Sequence, residues 1–523
     1  MPICLRTLAI VLSAALSAAP VLCQPATTIH AKRVDAVREF QRFFRKYKQL
    51  AQKVEAVLAL DEADCPEAVH ALTPLLNYKA REVRMAARKV LSGYREAETF
   101  DAVLEELVEM PNRDMRAGLI DVISEAGQPK LKKAIAQIWE AEATRLSVPE
   151  KFQIAKALGR LGAEGYEPIL EALLKDPAYE VRVSALRAIE QTGLKKLGDK
   201  VVARLDDRVW QVQAAAISCV GRLRPRSAVL PLIEFLKKDG RLQKDASDAL
   251  FLVTTRDFGT DYKMWKSQWK MLTGLPNFRL PTDAEVAKAK AARAKANKQY
   301  KPGKKGTAFA GIPTTSTRVI FIIDVSASMD DLVTERKKFR DGGYPSFRKI
   351  DIVRTELLNT INSLDGTTYF NVVAFAKKVK PWKRWLTKGT ILNKTSALSW
   401  TKRLEPLGVV KAGGFGVSTE DDSGKTNTYA ALMTAFDLDP AKGLVITGRG
   451  DKKPPKLDTI YFLTDGRPSI GKFTDTDDIL REVKKINEVR GVVIHTISIG
   501  EFDASFMKRL ASQNGGVFVN LGG

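Results

Sequence analysis

The sequence predicts a multidomain chain: an N-terminal all-α solenoid built from repeats, then a C-terminal α/β domain with a doubly wound, mostly parallel sheet. Three observations carry this. Apolar residues keep a helical spacing from Ala31 to about Leu272, and one short motif returns there roughly every 30 residues. After a Lys/Ala-rich stretch the pattern changes to short, continuous apolar runs, RVIFII and TIYFLT, of the kind that form strands buried on both faces. Each run ends on an aspartate, Asp324 and Asp465. A chain of 523 residues, 45% of them apolar, is long enough for two or more domains and can fill their cores.

Residues 1–23 read as a secretory signal peptide. Arg6 supplies the charged start, and the apolar run from Leu8 to Leu22 is broken by small residues and is too short for a membrane span. Cleavage is expected after Cys23; bulky Leu22 argues against a lipoprotein cysteine. The expected location is therefore periplasmic, cell-envelope or secreted. No later apolar run reaches the length of a spanning helix. Cys4 and Cys23 leave with the signal. Cys65 and Cys219 do not make a disulfide framework and are expected as small buried apolar groups. His30, His70 and His495 are scattered, which leaves little material for a histidine metal site or a catalytic triad.

Residues 24–275 carry the repeat. An apolar residue precedes Arg or Gln at Val83-Arg84, Met115-Arg116, Phe152-Gln153, Val181-Arg182, Val212-Gln213 and Leu242-Gln243. Three positions after the Arg or Gln stands Ala87, Ala185, Ala216 or Ala246 in four of the six; Leu119 and Lys156 are the exceptions. A small residue there lets helices approach closely. The clearest unit is Gly165 to Gly193, in which Asp176-Pro177 marks the turn and the following helix buries Val181, Ala185 and Ile189. This resembles HEAT repeats of the short kind, which bury their apolar stripes only by stacking. The Arg/Gln column is expected to pack between repeats and cap the preceding turn. A single long helix, Val34 to Leu60, is expected to cap the stack.

Trp265 and Trp269, four apart, share a helical face and are expected to close the last repeat. Residues 276–316 form a basic Lys/Ala-rich linker. Within it, residues 281–314 hold eight Lys/Arg against two acids, and AKAKAARAKANK is expected to act as a semi-rigid spacer. The net charge of +23 is otherwise spread along the chain rather than gathered into an aromatic-interleaved basic motif.

Residues 317–523 should form the α/β domain. Ile350 to Leu364 reads as the helix after the first strand, TYFNVVAFA as the second strand, HTISIG as a later strand, and Leu510 to Leu521 as the last helix and edge strand. In an open α/β sheet, ligands bind beyond the carboxyl ends of the strands where strand order reverses. DVSASM, TNT and LTDG supply Asp324, Ser326, Ser328, Thr426 and Asp465 for that position. Two carboxylates and three hydroxyls make an all-oxygen set suited to Mg2+, with Mn2+ or Ca2+ as alternatives, and not to zinc.

D-x-S-x-S, a distant Thr and a distant Asp, in this order, resemble the metal-ion-dependent adhesion site (MIDAS) of von Willebrand factor type A (VWA) domains, a Rossmann-like α/β family. The resemblance covers about two-fifths of the chain. It implies that Ser326 and Ser328 bind the ion directly, that Thr426, Asp324 and Asp465 bind it directly or through water, and that one coordination position is left for a carboxylate from a partner protein. Partner specificity is expected in Asp331 to Phe347 and in a glycine-rich excursion from Ala397 to Ser423 containing Trp400.

Competing motifs fail on detail. An aspartyl phosphatase needs a second Asp where Ser326 stands, and a P-loop needs Gly where Thr419 stands. Asp330 and Asp331 fall one residue short of the spacing for a second, adjacent ion site, and Arg449-Gly450-Asp451 is a three-letter coincidence with an integrin-recognition tripeptide. The expected function is that of an exported interaction, adhesion or scaffold protein without enzymatic activity. The metal grips an Asp or Glu of one protein partner, and the solenoid offers a surface to a second. The alternative is RNA binding, since Ro-like proteins also join HEAT repeats to a VWA domain; the signal peptide and the diffuse charge argue against it.

Overall fold

The computed structural model describes residues 26–238, 240–299, 308–340, 343–406, 425–438, 456–500 and 504–521. The signal segment, the Arg449-Gly450-Asp451 tripeptide and residues 407–423 of the glycine-rich excursion lie outside them. The chain divides into two compact units, Met1–Met110 and Pro111–Gly523.

The first unit is helical: Ala26–Phe44, Leu50–Leu58, Pro66–Leu72, Arg81–Gly93 and Ala97–Glu109. The single opening helix expected over Val34 to Leu60 is two helices, broken after Phe44. No Gly or Pro marks the break. It is held by Lys53, whose ammonium donates to the Phe44 carbonyl at 2.8 Å and lies 4.4 Å from the centre of the Phe44 ring. The lysine thus satisfies one of the carbonyls orphaned at the helix end. Cys65 is buried and unpaired.

In the second unit the helices Arg113–Glu125, Val148–Leu161, Tyr179–Thr192, Trp210–Leu223 and Arg241–Thr254 pack in succession, each against the next. The Gly165 to Gly193 unit is the helix pair Glu167–Leu173 and Tyr179–Thr192. Gly159 is one reason such close stacking works: a Cβ there would meet the Ala188 backbone at 3.0 Å. Arg182 is buried. It donates to the carbonyls of Asp176 and Pro177 in the preceding turn (2.8 and 3.0 Å) and to both carboxylate oxygens of Asp207 in the next unit (2.9 and 2.8 Å). Gln243 caps the preceding turn through Leu236 O at 2.8 Å. Arg116 reaches into the following unit, pairing with Glu142 and Glu150, both at 2.6 Å.

Trp265 and Trp269 are buried against Phe258 and Phe278 at the end of this row. The Lys/Ala-rich stretch forms the helix Asp283–Gln299, opened by a reciprocal Thr282–Glu285 cap. It does not stand free. Val286 is buried, Arg224 pairs with Asp283, and Arg293 pairs with Asp248 at 2.8 Å and lies 4.4 Å from the Phe251 ring centre.

The sheet is built from β1 (Ala308–Phe309), β2 (Ile312–Pro313), β3 (Arg318–Asp324), β4 (Tyr369–Phe375), β5 (Val379–Pro381), β6 (Thr387–Lys388), β7 (Thr459–Thr464), β8 (Val493–Ser498) and β9 (Phe518–Asn520). β1 and β2 form a separate hairpin. The main sheet runs β5-β4-β3-β7-β8-β9, with β6 also on β4. Its pairs β4/β3, β3/β7, β7/β8 and β8/β9 are parallel; β5 and β6 run antiparallel. Side chains alternate between two cores. Val319, Phe321 and Ile323 face the side of helix Lys349–Ser363, whereas Ile320 and Ile322 face helices Thr428–Asp437, Thr476–Arg490 and Ser505–Gln513. Part of the expected glycine-rich excursion is instead helical: Ala397 and Trp400 belong to Ile391–Lys402 and pack into the first core.

Candidate metal centre

The chain leaves β3 for β4 on one side and returns to β7 on the other, so strand order reverses between β3 and β7. Asp324 is the last residue of β3, and Asp465 follows the last residue of β7. Parallel pairing of Ile323 with Leu463 sets the two carboxylates side by side at this switch.

Asp324 is fully buried. One of its oxygens accepts from the Ser326 N–H at 2.8 Å and the other from the Thr464 hydroxyl. Ser326 starts a short 3-10 turn, Ala327–Asp330, which brings Ser328 back toward it; the two hydroxyl oxygens lie 3.2 Å apart. Ser328 Oγ donates to Asp465 Oδ1 at 2.8 Å. Thr426 is buried just before the helix Thr428–Asp437 and is tied to the loop after β7 by its N–H to Ser469 Oγ (2.8 Å). Its hydroxyl lies at Gly466, where a Cβ would come within 3.5 Å. Four of the five residues singled out in the sequence are thus linked directly, and Thr426 stands beside them through Gly466.

The electrostatics favour a cation. Burial, with the negative charge of Asp465, pushes the Asp324 carboxyl up to about 6. Two covered carboxylates with three hydroxyls and no imidazole or thiolate are a hard, oxygen-only donor set, which fits Mg2+, Mn2+ or Ca2+. Among the described residues no cluster of three or more His, Cys, Asp or Glu is placed to hold a metal. Asp330 is engaged by Arg348 at 2.6 Å. His495 lies under Tyr461, ring centres 4.9 Å apart.

Sequence reasoning missed two residues. Thr464 could have been found from its place before Asp465 in LTDG. Lys349, whose ammonium donates to Asp465 Oδ2 at 2.8 Å, gives no such signal.

No family model matches the chain. Among curated proteins it is 29% identical over 150 residues to human von Willebrand factor A domain-containing protein 3A, covering 28% of this chain and 10% of that protein. It is 26% identical over 214 residues to mouse inter alpha-trypsin inhibitor, heavy chain 4 (39% of this chain, 18% of that one), and 27% identical over 210 residues to human inter-alpha-trypsin inhibitor heavy chain H6 (40% and 13%). The chain therefore spans less than a fifth of the length of these relatives. A solved structure, the PilB minor pilin from Streptococcus sanguinis, is 15% identical with a TM-score of 0.26, covering 42% of this chain and 58% of that one, a likeness too low to carry argument. The relatives that match are VWA-domain proteins, and the likeness reaches about 40% of this chain at about 25% identity.

Proposed function

We propose that this chain is an exported protein-interaction or scaffold protein. Its α/β part is a VWA domain with a metal-ion-dependent adhesion site, and its helical part is a HEAT-like solenoid offering a second interaction surface. The observation that carries this is the direct link of Asp324, Ser326, Ser328 and Asp465, with Thr426 adjacent, at the switch between β3 and β7. Bound there, Mg2+ would supply a Lewis-acidic position to a carboxylate oxygen of a partner. The residues themselves do the rest. Asp324 and Asp465 offset the ion's charge, and the Ser and Thr hydroxyls add neutral donors, so the site keeps its pull on an incoming Asp or Glu. With the hydroxyls engaged as donors and no histidine at the site, we read it as a grip and not as a catalyst. Support for an interaction role comes from the VWA-domain relatives. Among the described residues no helix is long and apolar enough to cross a membrane.

The test is calorimetric titration of Mg2+ into the protein, followed by affinity capture from the cell envelope with Mg2+ and with EDTA, comparing the parent with Asp324→Ala. Saturable binding and a partner lost in both EDTA and Asp324→Ala are expected. A partner retained in EDTA overturns the metal-dependent grip.

The RNA alternative meets an obstacle in the second unit. A cleft of about 1130 Å3 is lined by eight Lys/Arg, Arg187, Arg222 and Lys484 among them, but also by five Asp/Glu, including Glu190, Asp245 and Glu488. Mixed signs suit a protein surface better than a phosphate backbone. Filter binding with single-stranded RNA at low salt is expected to give no retention.

A further inference from the structure

Lys349 opens the helix Lys349–Ser363, and its N–H donates to Asp331 O at 2.9 Å, which fixes it beside the loop after β3. Its ammonium donates to Asp465 Oδ2 at 2.8 Å and to Ser328 O at 3.2 Å. Its side chain is only 12% exposed, and that of Asp465 is fully covered. Lysine heads ordinarily reach for water while their stems cover apolar surface, at a saving in rotamer freedom. Here the head points inward. Gly500 makes room for it: with φ +98°, a Cβ at 500 would lie 3.0 Å from Lys349 Cε and 3.4 Å from Nζ. The next acceptor is Asp331 Oδ2, 3.6 Å away on a carboxylate that is 68% exposed.

We infer that Lys349 is a tethered cation that competes with a divalent ion for Asp465 and so sets the affinity of the metal site, an inference that rests on the metal-binding reading above. The charge balance is direct. Two carboxylates alone present −2 to an incoming ion; with the ammonium in place they present −1, and the ion meets a like charge a few ångströms away. Binding therefore requires the ammonium to give up Asp465. The flexible four-carbon stem permits this, and Asp331 is the partner within reach. In the absence of the ion, Lys349 keeps Asp465 and Ser328 in position, so the cage is held together before it is filled.

The experiment is calorimetric titration of Mg2+ into the full chain as parent, Lys349→Met and Lys349→Arg, each checked by circular dichroism and thermal melting in EDTA. Lys349→Met should bind Mg2+ at least tenfold more tightly, and Lys349→Arg should stay within about threefold of the parent, because charge and not bulk is at issue. A Lys349→Met protein that binds no tighter than a binding parent overturns the competition and leaves the metal reading standing. If neither takes up Mg2+, the metal reading fails and this inference with it. A second measurement needs no variant. Labelling of Lys349 by an amine-selective ester, read by mass spectrometry, should rise as Mg2+ saturates the site; unchanged labelling at saturation overturns the displacement.

Discussion

Ser328 Oγ donates to Asp465 Oδ1 at 2.8 Å across 137 residues of sequence, and this contact joins the loop after β3 to the end of β7. The other oxygen of the same carboxylate is held by Lys349. Asp465 is thus shared between the Ser328 hydroxyl and the Lys349 ammonium, and its removal should have two separable effects.

Asp465→Ala should abolish Mg2+ uptake in calorimetry. In EDTA it should also destabilise the fold by about 2–3 kcal/mol, because a largely covered ammonium loses its closest carboxylate. Adding Lys349→Met to the same chain should restore most of that stability without restoring ion binding. Urea denaturation of the parent, the two single variants and the double variant reads both terms. An Asp465→Ala protein as stable as the parent in EDTA would contradict the buried pair.

Arg182→Ala should lower stability by about 3–5 kcal/mol in urea denaturation. Its guanidinium ties the Asp176-Pro177 turn to Asp207 of the next helix pair, so the loss leaves a buried carboxylate and two turn carbonyls without this donor. Arg182→Lys should recover little, since one ammonium cannot reproduce a planar fork that grips both oxygens of Asp207. Full recovery by Lys would show that charge alone matters there.

The legibility of this chain follows the range of each interaction. β3 and β7 could be read because a strand buried on both faces is one apolar run, and the meeting of Asp324, Ser326, Ser328 and Asp465 because each stands at or just beyond the end of such a run, whereas Thr426 lies on neither. Arg182 and Gln243 cap the preceding turn as the repeat column predicts, since that turn is a few residues away. The break after Phe44 was hidden, for no breaker residue marks it and the freed carbonyl is satisfied by a lysine nine residues on. Lys349 was illegible: a lysine at a helix start is ordinary until Asp465, 116 residues on, is folded against it.

His495 should make the fold acid-labile in a defined window. Burial, with the nearby charge of Arg241, pulls its imidazole from 6.5 down to about 4. The unfolded chain therefore takes up the proton first as pH falls, so this contribution is intact above about 6.5 and lost progressively toward pH 4. Its full size is about 3 kcal/mol, of which about 2 kcal/mol is lost by pH 5. Urea denaturation of the parent and His495→Phe at pH 7.5 and 5.0 isolates it from the carboxylates that titrate nearby. The variant should lose less stability over this interval, and equal losses would show that His495 is not the group responsible.

Arg241 links the last stacked helix to the sheet, donating to the carbonyls of Asp458 and Gly491 at 3.2 and 2.6 Å. The same positive charge acts on two titrating groups with one sign: it lowers the imidazole of His495, and it opposes the rise that burial imposes on the Asp458 carboxyl. Arg241→Met should therefore move the His495 pKa upward from about 4 in an NMR titration, although the residue substituted is not a hydrogen-bond partner of the ring. It should also speed amide exchange around Gly491, where the clamp is lost. Faster exchange with an unmoved imidazole would separate the two roles, leaving Arg241 as a mechanical tie whose charge is screened before it reaches the sheet.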